Sequence, residues 1–187
     1  MAITMESKID NAGILLQEIT DYAKNNVGFT EKIRFPRRYI RTVSDFGKDL
    51  TFVAENNLRK NIIYVFILID VFRWLFNHTD IKGTAREMLL KNCIMLYGSI
   101  CESMITAAMK TIISGNRKFK EKTKRMVTKG IISPDLKERL DWLWNKRVDA
   151  AHIYLVDTLE YGKYDCRDYY KAKKATDDLI EALRKFI

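Results

Sequence analysis

The chain has 187 residues, 47% of them hydrophobic, and a net charge of +9. That length suffices for one domain with a sizeable core, or for one domain with a helical extension. Three scattered cysteines, Cys93, Cys101 and Cys166, are too few for a disulfide framework or a zinc site and read as reduced thiols of a cytoplasmic protein.

In chain order, residues about 6–25 carry a helical pattern through Ile9, Leu15, Leu16, Ile19 and Tyr22. Residues 28–41 are irregular, basic and contain Pro36. Ser44 is the expected cap of a helix reaching Asn57, and a very apolar helix follows to about Asn77. The run 61–76 is short for a bilayer and holds Asp70 and Arg73, which pair at i,i+3, so it is expected as a buried helix rather than a membrane span. A turn from His78 to Thr84 leads into a long helix over 85–113. The basic run 117–129 is expected to be helical and to end at Gly130. Ser133-Pro134-Asp135 starts the next helix with a cap, a proline at the first position and an acid in the first turn; it extends to about Thr158. After the loop at Tyr161-Gly162, Asp165 caps a last helix running close to Ile187. No strand-like alternation and no repeat occurs, so the fold class is all-α, a helical bundle, divided into an N-terminal extension (residues 1–84) and a bundle (residues 85–187).

The cations are clustered. Between 117 and 129 stand Arg117, Lys118, Lys120, Lys122, Lys124, Arg125 and Lys129 against Glu121 alone, and five cations face one acid between 31 and 41. Such runs suit a polyphosphate such as RNA, and equally suit solvated faces of a basic protein. No Gly-rich phosphate loop, His/Cys cluster or Ser-His-Asp arrangement is visible, so neither cofactor nor metal is expected.

The most informative stretch is Asn145-Lys146-Arg147-Val148-Asp149-Ala150-Ala151-His152. At 100° per residue, Leu136, Leu140, Leu143, Trp144, Ala151 and Leu155 form one apolar face, and Arg147 falls in its middle. A guanidinium there must be paired, most simply with Glu102 of the long helix, or face a seam that receives an anion. His152 lies just past the edge of the stripe; it reads as a proton-transfer group, or as a surface histidine paired with Asp149. Asn145 shares its face and could bond the imidazole or a ribose. Tyr154 returns to the stripe as core or as lining of the same cleft. Trp142 points to the polar side, to be covered by the N-terminal helices or to stack a base.

Residues 85–187 resemble the HEPN superfamily, α-helical nucleotide-binding bundles that include RNA-cleaving toxins and phage-defence effectors. The resemblance rests on Arg147-x4-His152, on Glu102 within Leu96-Tyr97-Gly98-Ser99-Ile100-Cys101-Glu102-Ser103-Met104, and on a closing helix after the Tyr/Asp-rich segment 164–170. It departs from the pattern at Val148, where active members usually carry Asn, Asp or His; Asp149 comes one residue late. His152-Ile153-Tyr154 is similar to toxins silenced by nucleotide addition to the tyrosine. The resemblance implies a metal-independent endoribonuclease with catalytic Arg147 and His152, supported by Glu102, Asn145, Asp149 and Tyr154. It also implies a homodimer sharing one site, RNA as substrate, and an antitoxin or nucleotidyltransferase as a further partner; the short, charged run 61–76 separately leaves no membrane expected. The alternative it implies is a catalytically inactive module binding nucleotide, RNA or protein.

Overall fold

The computed structural model describes residues 4–36, 38–112, 118–151, 159 and 161–186, with backbone alone at 111 and 112. It is an all-α helical bundle with no strand among the described residues. Among the described residues seven helices follow in order: α1 (Met5–Asn25), α2 (Val43–Gly47), α3 (Asn56–His78), α4 (Gly83–Ile112), α5 (Phe119–Thr128), α6 (Pro134–Ala151) and α7 (Cys166–Phe186). The chain divides into two units, Met1–Pro36 and Arg37–Ile187, so α2 and α3 belong with the bundle and the division falls at Pro36 rather than near residue 84. The first unit holds α1, capped by the Thr4 hydroxyl, which accepts from the Ser7 N–H at 3.2 Å.

In the second unit α4 is the axle, lying against α3, α5, α6 and α7. Its apolar residues recur at steps of three and four: Leu90, Cys93, Ile94, Tyr97, Ile100, Cys101, Met104, Ile105 and Ala108 are all buried. Opposite them α6 buries Leu136, Leu140, Leu143 and Ala150, and α7 buries Tyr169, Ala172, Ala175, Leu179 and Leu183. The small residues of α7 let it approach α4 closely, and Cys101 Sγ lies 3.3 Å from Thr176 Oγ1 in that seam. Burial pushes the thiols of Cys93 and Cys101 up to about 12, so neither is a nucleophile at neutral pH.

The helix ends follow their chemistry. Gly130, at φ 69°, closes α5: its N–H donates to the Val127 carbonyl and that of Ile131 to Met126, both at 2.9 Å. Ser133 Oγ accepts from the Leu136 N–H at 3.1 Å above Pro134. Asp165 accepts from the Asp168 N–H at 2.9 Å, and that bond, with the Arg167 side chain, holds its carboxyl below the usual range. The expected cap at Ser44 is corrected: Thr42 is the cap, in a box closed by Asp45, and the helix it starts ends at Gly47 instead of Asn57. Thr42 wins because Asp45 stands three residues on, where its carboxylate reaches back to the Thr42 N–H at 2.7 Å.

Helix α3 has the length and composition to cross a membrane, yet Ile62, Ile63, Phe66, Ile69, Asp70 and Phe76 are buried within the bundle. Asp70 is fully buried and pairs with Arg73 at 3.3 Å, as its spacing predicts. Its main partner comes from elsewhere: Arg41 donates to both carboxylate oxygens at 2.9 and 2.8 Å, and its backbone N–H adds a third bond at 3.1 Å. Those bonds to Asp70 raise the Arg41 pKa. One cation of the 31–41 run is therefore committed to a buried carboxylate and is not available to a phosphate.

A second carboxylate organises the entry to α7. Glu87, 7% exposed on α4, accepts from the backbone N–H groups of Gly162, Lys163 and Tyr164 at 2.8, 2.7 and 3.0 Å. Burial alone would raise its pKa, but the three donors together hold it below the ordinary 4.5. Its folded pKa being depressed, the clamp contributes fully above the unfolded value and is lost as pH falls through the folded one. Hydrogen exchange at neutral pH should therefore show Gly162, Lys163 and Tyr164 amides protected in the wild type. Glu87→Gln should accelerate them about tenfold, the loss of one charge-assisted bond of about 1.5 kcal/mol. Lowering the pH through the depressed folded pKa of Glu87 should reproduce that loosening in the wild type, read as a fall in the protection factors of the three amides.

Candidate functional site

Arg147 stands at a core-facing position of α6, in line with Leu136, Leu140, Leu143 and Ala150, all buried. Ala151, expected on this stripe, is exposed instead; the seven-residue step from Leu143 selects Ala150. What admits an arginine to the stripe is Gly98 on α4. A Cβ added to Gly98 would come within 2.8 Å of Arg147 Cβ and 3.0 Å of its Cδ. The two helices touch here through the arginine's own stem, and only a residue without a side chain leaves it room.

From that contact the guanidinium reaches the rim of the α4–α6 seam. Its Nε donates to Ser99 Oγ at 3.0 Å, and Nη2 pairs with Glu102 Oε2 at 3.0 Å. Ser99 in turn donates to the Met95 carbonyl at 3.1 Å, which fixes its hydroxyl. Beneath the plane lies Trp144, its ring centroid 4.9 Å from Arg147 Cζ. Trp144 itself stacks on Phe119 at 4.6 Å and 7° between planes. The pair of Arg147 and Glu102 forms as expected, but it is half-open: the side chains are 28% and 38% exposed. The guanidinium is thus oriented on three sides without being sealed.

The residue before Arg147 holds the helix in rotation. Lys146 Nζ donates to the Lys163 carbonyl and to Asp168, both at 3.1 Å, tying α6 to the loop that Glu87 clamps. Asn145 and Asp149 are exposed on α6, and Val148 is half-buried. His152 and Tyr154 lie outside the described residues, as does Arg117. Trp142 packs at the edge of the core, with Lys171 Nζ of α7 4.2 Å from its ring centroid.

Helix α5 presents the basic run. Phe119, Thr123 and Met126 are buried, which turns Lys118, Lys120 and Lys124 outward; Arg125 is half-buried. Lys122 donates to Thr106 Oγ1 of α4 at 2.9 Å. Thr123 donates to Asp141 of α6 at 3.0 Å, and Lys137, also on α6, pairs with the same carboxylate at 2.6 Å, so the middle of α5 is tied to α6 through Asp141. The stack from Phe119 through Trp144 to Arg147 therefore joins the first turn of the basic helix to the guanidinium.

Sequence reasoning missed Gly98, Ser99, Trp144, Lys146 and Phe119 as parts of this arrangement. Gly98 carried a readable signal, a glycine inside a long apolar helix facing a helix with an arginine in its stripe. The stack of Phe119 on Trp144 carried none, because it depends on where α5 is laid. No family model, curated protein or solved structure matches the chain.

Gly98→Ala separates the close approach from helix propensity. Alanine alone would stabilise a helix interior by about 1 kcal/mol. Overpacking against the stem of Arg147 should cost about 1–3 kcal/mol. A melting temperature lowered by a few degrees, measured by calorimetry, is expected. A rise would show that α4 and α6 do not meet at this point.

Proposed function

We propose that the chain is a metal-independent endoribonuclease of the HEPN type, acting as a homodimer in a toxin or phage-defence role in the cytoplasm. The observation that carries the reading is the Arg147 guanidinium, oriented by Ser99, Glu102 and Trp144 yet half-open, five residues before His152 in the sequence. RNA supplies its own nucleophile, the 2′-hydroxyl, whose oxygen attacks the adjacent phosphorus as its proton leaves to a base. The 5′-oxygen departs with a proton from an acid, leaving a 2′,3′-cyclic phosphate. In this mechanism Arg147 neutralises the crowded phosphorane with a fork that matches two phosphate oxygens. His152 transfers the proton, since an unperturbed imidazole titrates near neutral pH. One imidazole cannot easily serve as base and acid at once, so a second copy across a two-fold axis supplies the other His152.

Substrate binding falls to the outward cations of α5, Lys118, Lys120 and Lys124, with Arg117 and Arg125. Their helix begins at the ring stacked on Trp144, so a backbone followed by these lysines leads toward Arg147. Further partners under this reading are an antitoxin or a nucleotidyltransferase acting at Tyr154. A second reading is favoured by Val148, which puts an apolar residue where active enzymes carry a polar one. It makes the chain an inactive HEPN-type module that binds nucleotide, RNA or protein.

Total RNA incubated with purified protein in EDTA distinguishes the two. The wild type should cleave it to products ending in cyclic phosphate, and His152→Ala should reduce cleavage by at least about a hundredfold. Equal inactivity of both proteins supports the binding module.

Neutralising Lys118, Lys120 and Lys124 together should weaken RNA binding and flatten its dependence on salt. For single-stranded RNA the slope of log K against log salt should fall by about 2, roughly 0.7 for each phosphate left unneutralised. An unchanged slope would return α5 to the status of a solvated face.

A further inference from the structure

Within the unit Met1–Pro36, helix α1 carries an apolar face that no other described residue of that unit buries. Met5, Ile9, Leu15, Leu16, Ile19 and Tyr22 are 38–68% exposed, and no residue of the helix is buried. Met5, Ile9, Ala12, Leu16, Ile19 and Ala23 alternate steps of four and three residues, the seven-residue seam on which helices supercoil. Leu15 and Tyr22 widen the seam on one side. A lone helix of 21 residues with such a seam is marginal in water and calls for a cover.

Charge narrows what the cover is. The helix carries Glu6, Asp10, Glu18 and Asp21 against Lys8 and Lys24, an acidic segment in a chain of +9. Helices that lie on anionic lipid or follow nucleic acid carry the opposite excess. The seam is instead complementary to itself when reversed. Laid antiparallel about residue 14, Ile9 meets Ile19 of the second copy, while Ala12 meets Leu16 and Met5 meets Ala23, so each small residue of the seam faces a large one. A parallel pair would set Ala12 on Ala12 and Ala23 on Ala23, leaving voids. Gly13 fits the same arrangement. A glycine inside a helix is unfavourable, and a Cβ at this position would meet nothing within 4 Å, so no contact among the described residues accounts for it. At the centre of the antiparallel pair the two copies of Gly13 lie beside each other, where missing side chains let the backbones close.

We propose that α1 pairs antiparallel with α1 of a second copy of this chain. The pairing does not rest on the nuclease reading and uses a different surface from α6.

Cysteine cross-linking of the full-length chain tests it, in a Cys166→Ser background because Cys93 and Cys101 are buried. With a short bismaleimide at micromolar protein, Leu15→Cys should link to itself. Lys8→Cys should not, yet should link to Tyr22→Cys when the two variants are mixed. Adding Leu16→Glu should reduce the Leu15→Cys link at least tenfold while the circular dichroism of the bundle is kept. Self-linking of Lys8→Cys as efficient as that of Leu15→Cys would overturn the antiparallel register. No link at any of these positions would overturn the pairing. A cross-linked pair that cleaves no RNA would leave the pairing standing and the nuclease reading refuted, and cleavage without any α1 link would do the reverse.

Discussion

The site depends on one close approach, that of α4 and α6 at Gly98 and Arg147. An arginine in the middle of a buried stripe is ordinarily expensive, because its charge loses water without gaining enough in return. Here the glycine admits the aliphatic stem, and the stem carries the charge outward to the rim, where water still reaches it. The stem thus takes the packing role that leucine has at Leu136, Leu140 and Leu143, while the guanidinium keeps its solvation and gains Ser99, Glu102 and Trp144. Moving α6 by a fraction of an ångström would disturb all of these interactions together, and Lys146, bonded to Lys163 and Asp168, opposes such a movement.

Two arginines in this fold show the difference between pairing with a buried carboxylate and pairing with an exposed one. Arg41 grips a carboxylate that is fully buried, so Asp70 depends on it and on Arg73 for compensation. Arg147 faces a carboxylate that is 38% exposed, and a pair in that setting is worth at most about 1 kcal/mol. Stability therefore gives little reason to hold Arg147 with three partners. A requirement for orientation gives a better one, since a guanidinium aimed in advance loses less freedom when it meets an anion.

Much of the fold was legible in the sequence because its signals are local. The boundaries at Ser133-Pro134, Gly130 and Asp165 follow from cap chemistry within four residues, and the pair of Asp70 and Arg73 follows from i,i+3 spacing. Local signals also misled: Ser44 is a sound cap taken alone, and lost to Thr42 because Asp45 closes a box. What escaped were interactions between distant segments. Arg41 reaches Asp70 across 29 residues, and Phe119 finds Trp144 across the turn between α5 and α6, so neither has a period to betray it. At the site, the pairing of Arg147 with Glu102 was readable from an arginine on an apolar stripe and a glutamate on the helix opposite. Its half-open setting was not, because exposure depends on where the helices end and what lies over them.

Replacing Arg147 with lysine, followed by melting temperature and RNA cleavage on the same preparation, tests the role of the guanidinium most directly. Lysine keeps the stem that packs on Gly98 and keeps the charge, but loses the planar fork. The melting temperature should stay within a few degrees of wild type, as suits a half-open pair worth about 1 kcal/mol. Under the proposed nuclease reading, cleavage should fall by about a hundredfold or more, the scale of removing one preorganised donor from a developing negative charge. Cleavage at the wild-type rate would contradict that role and make the guanidinium a structural group.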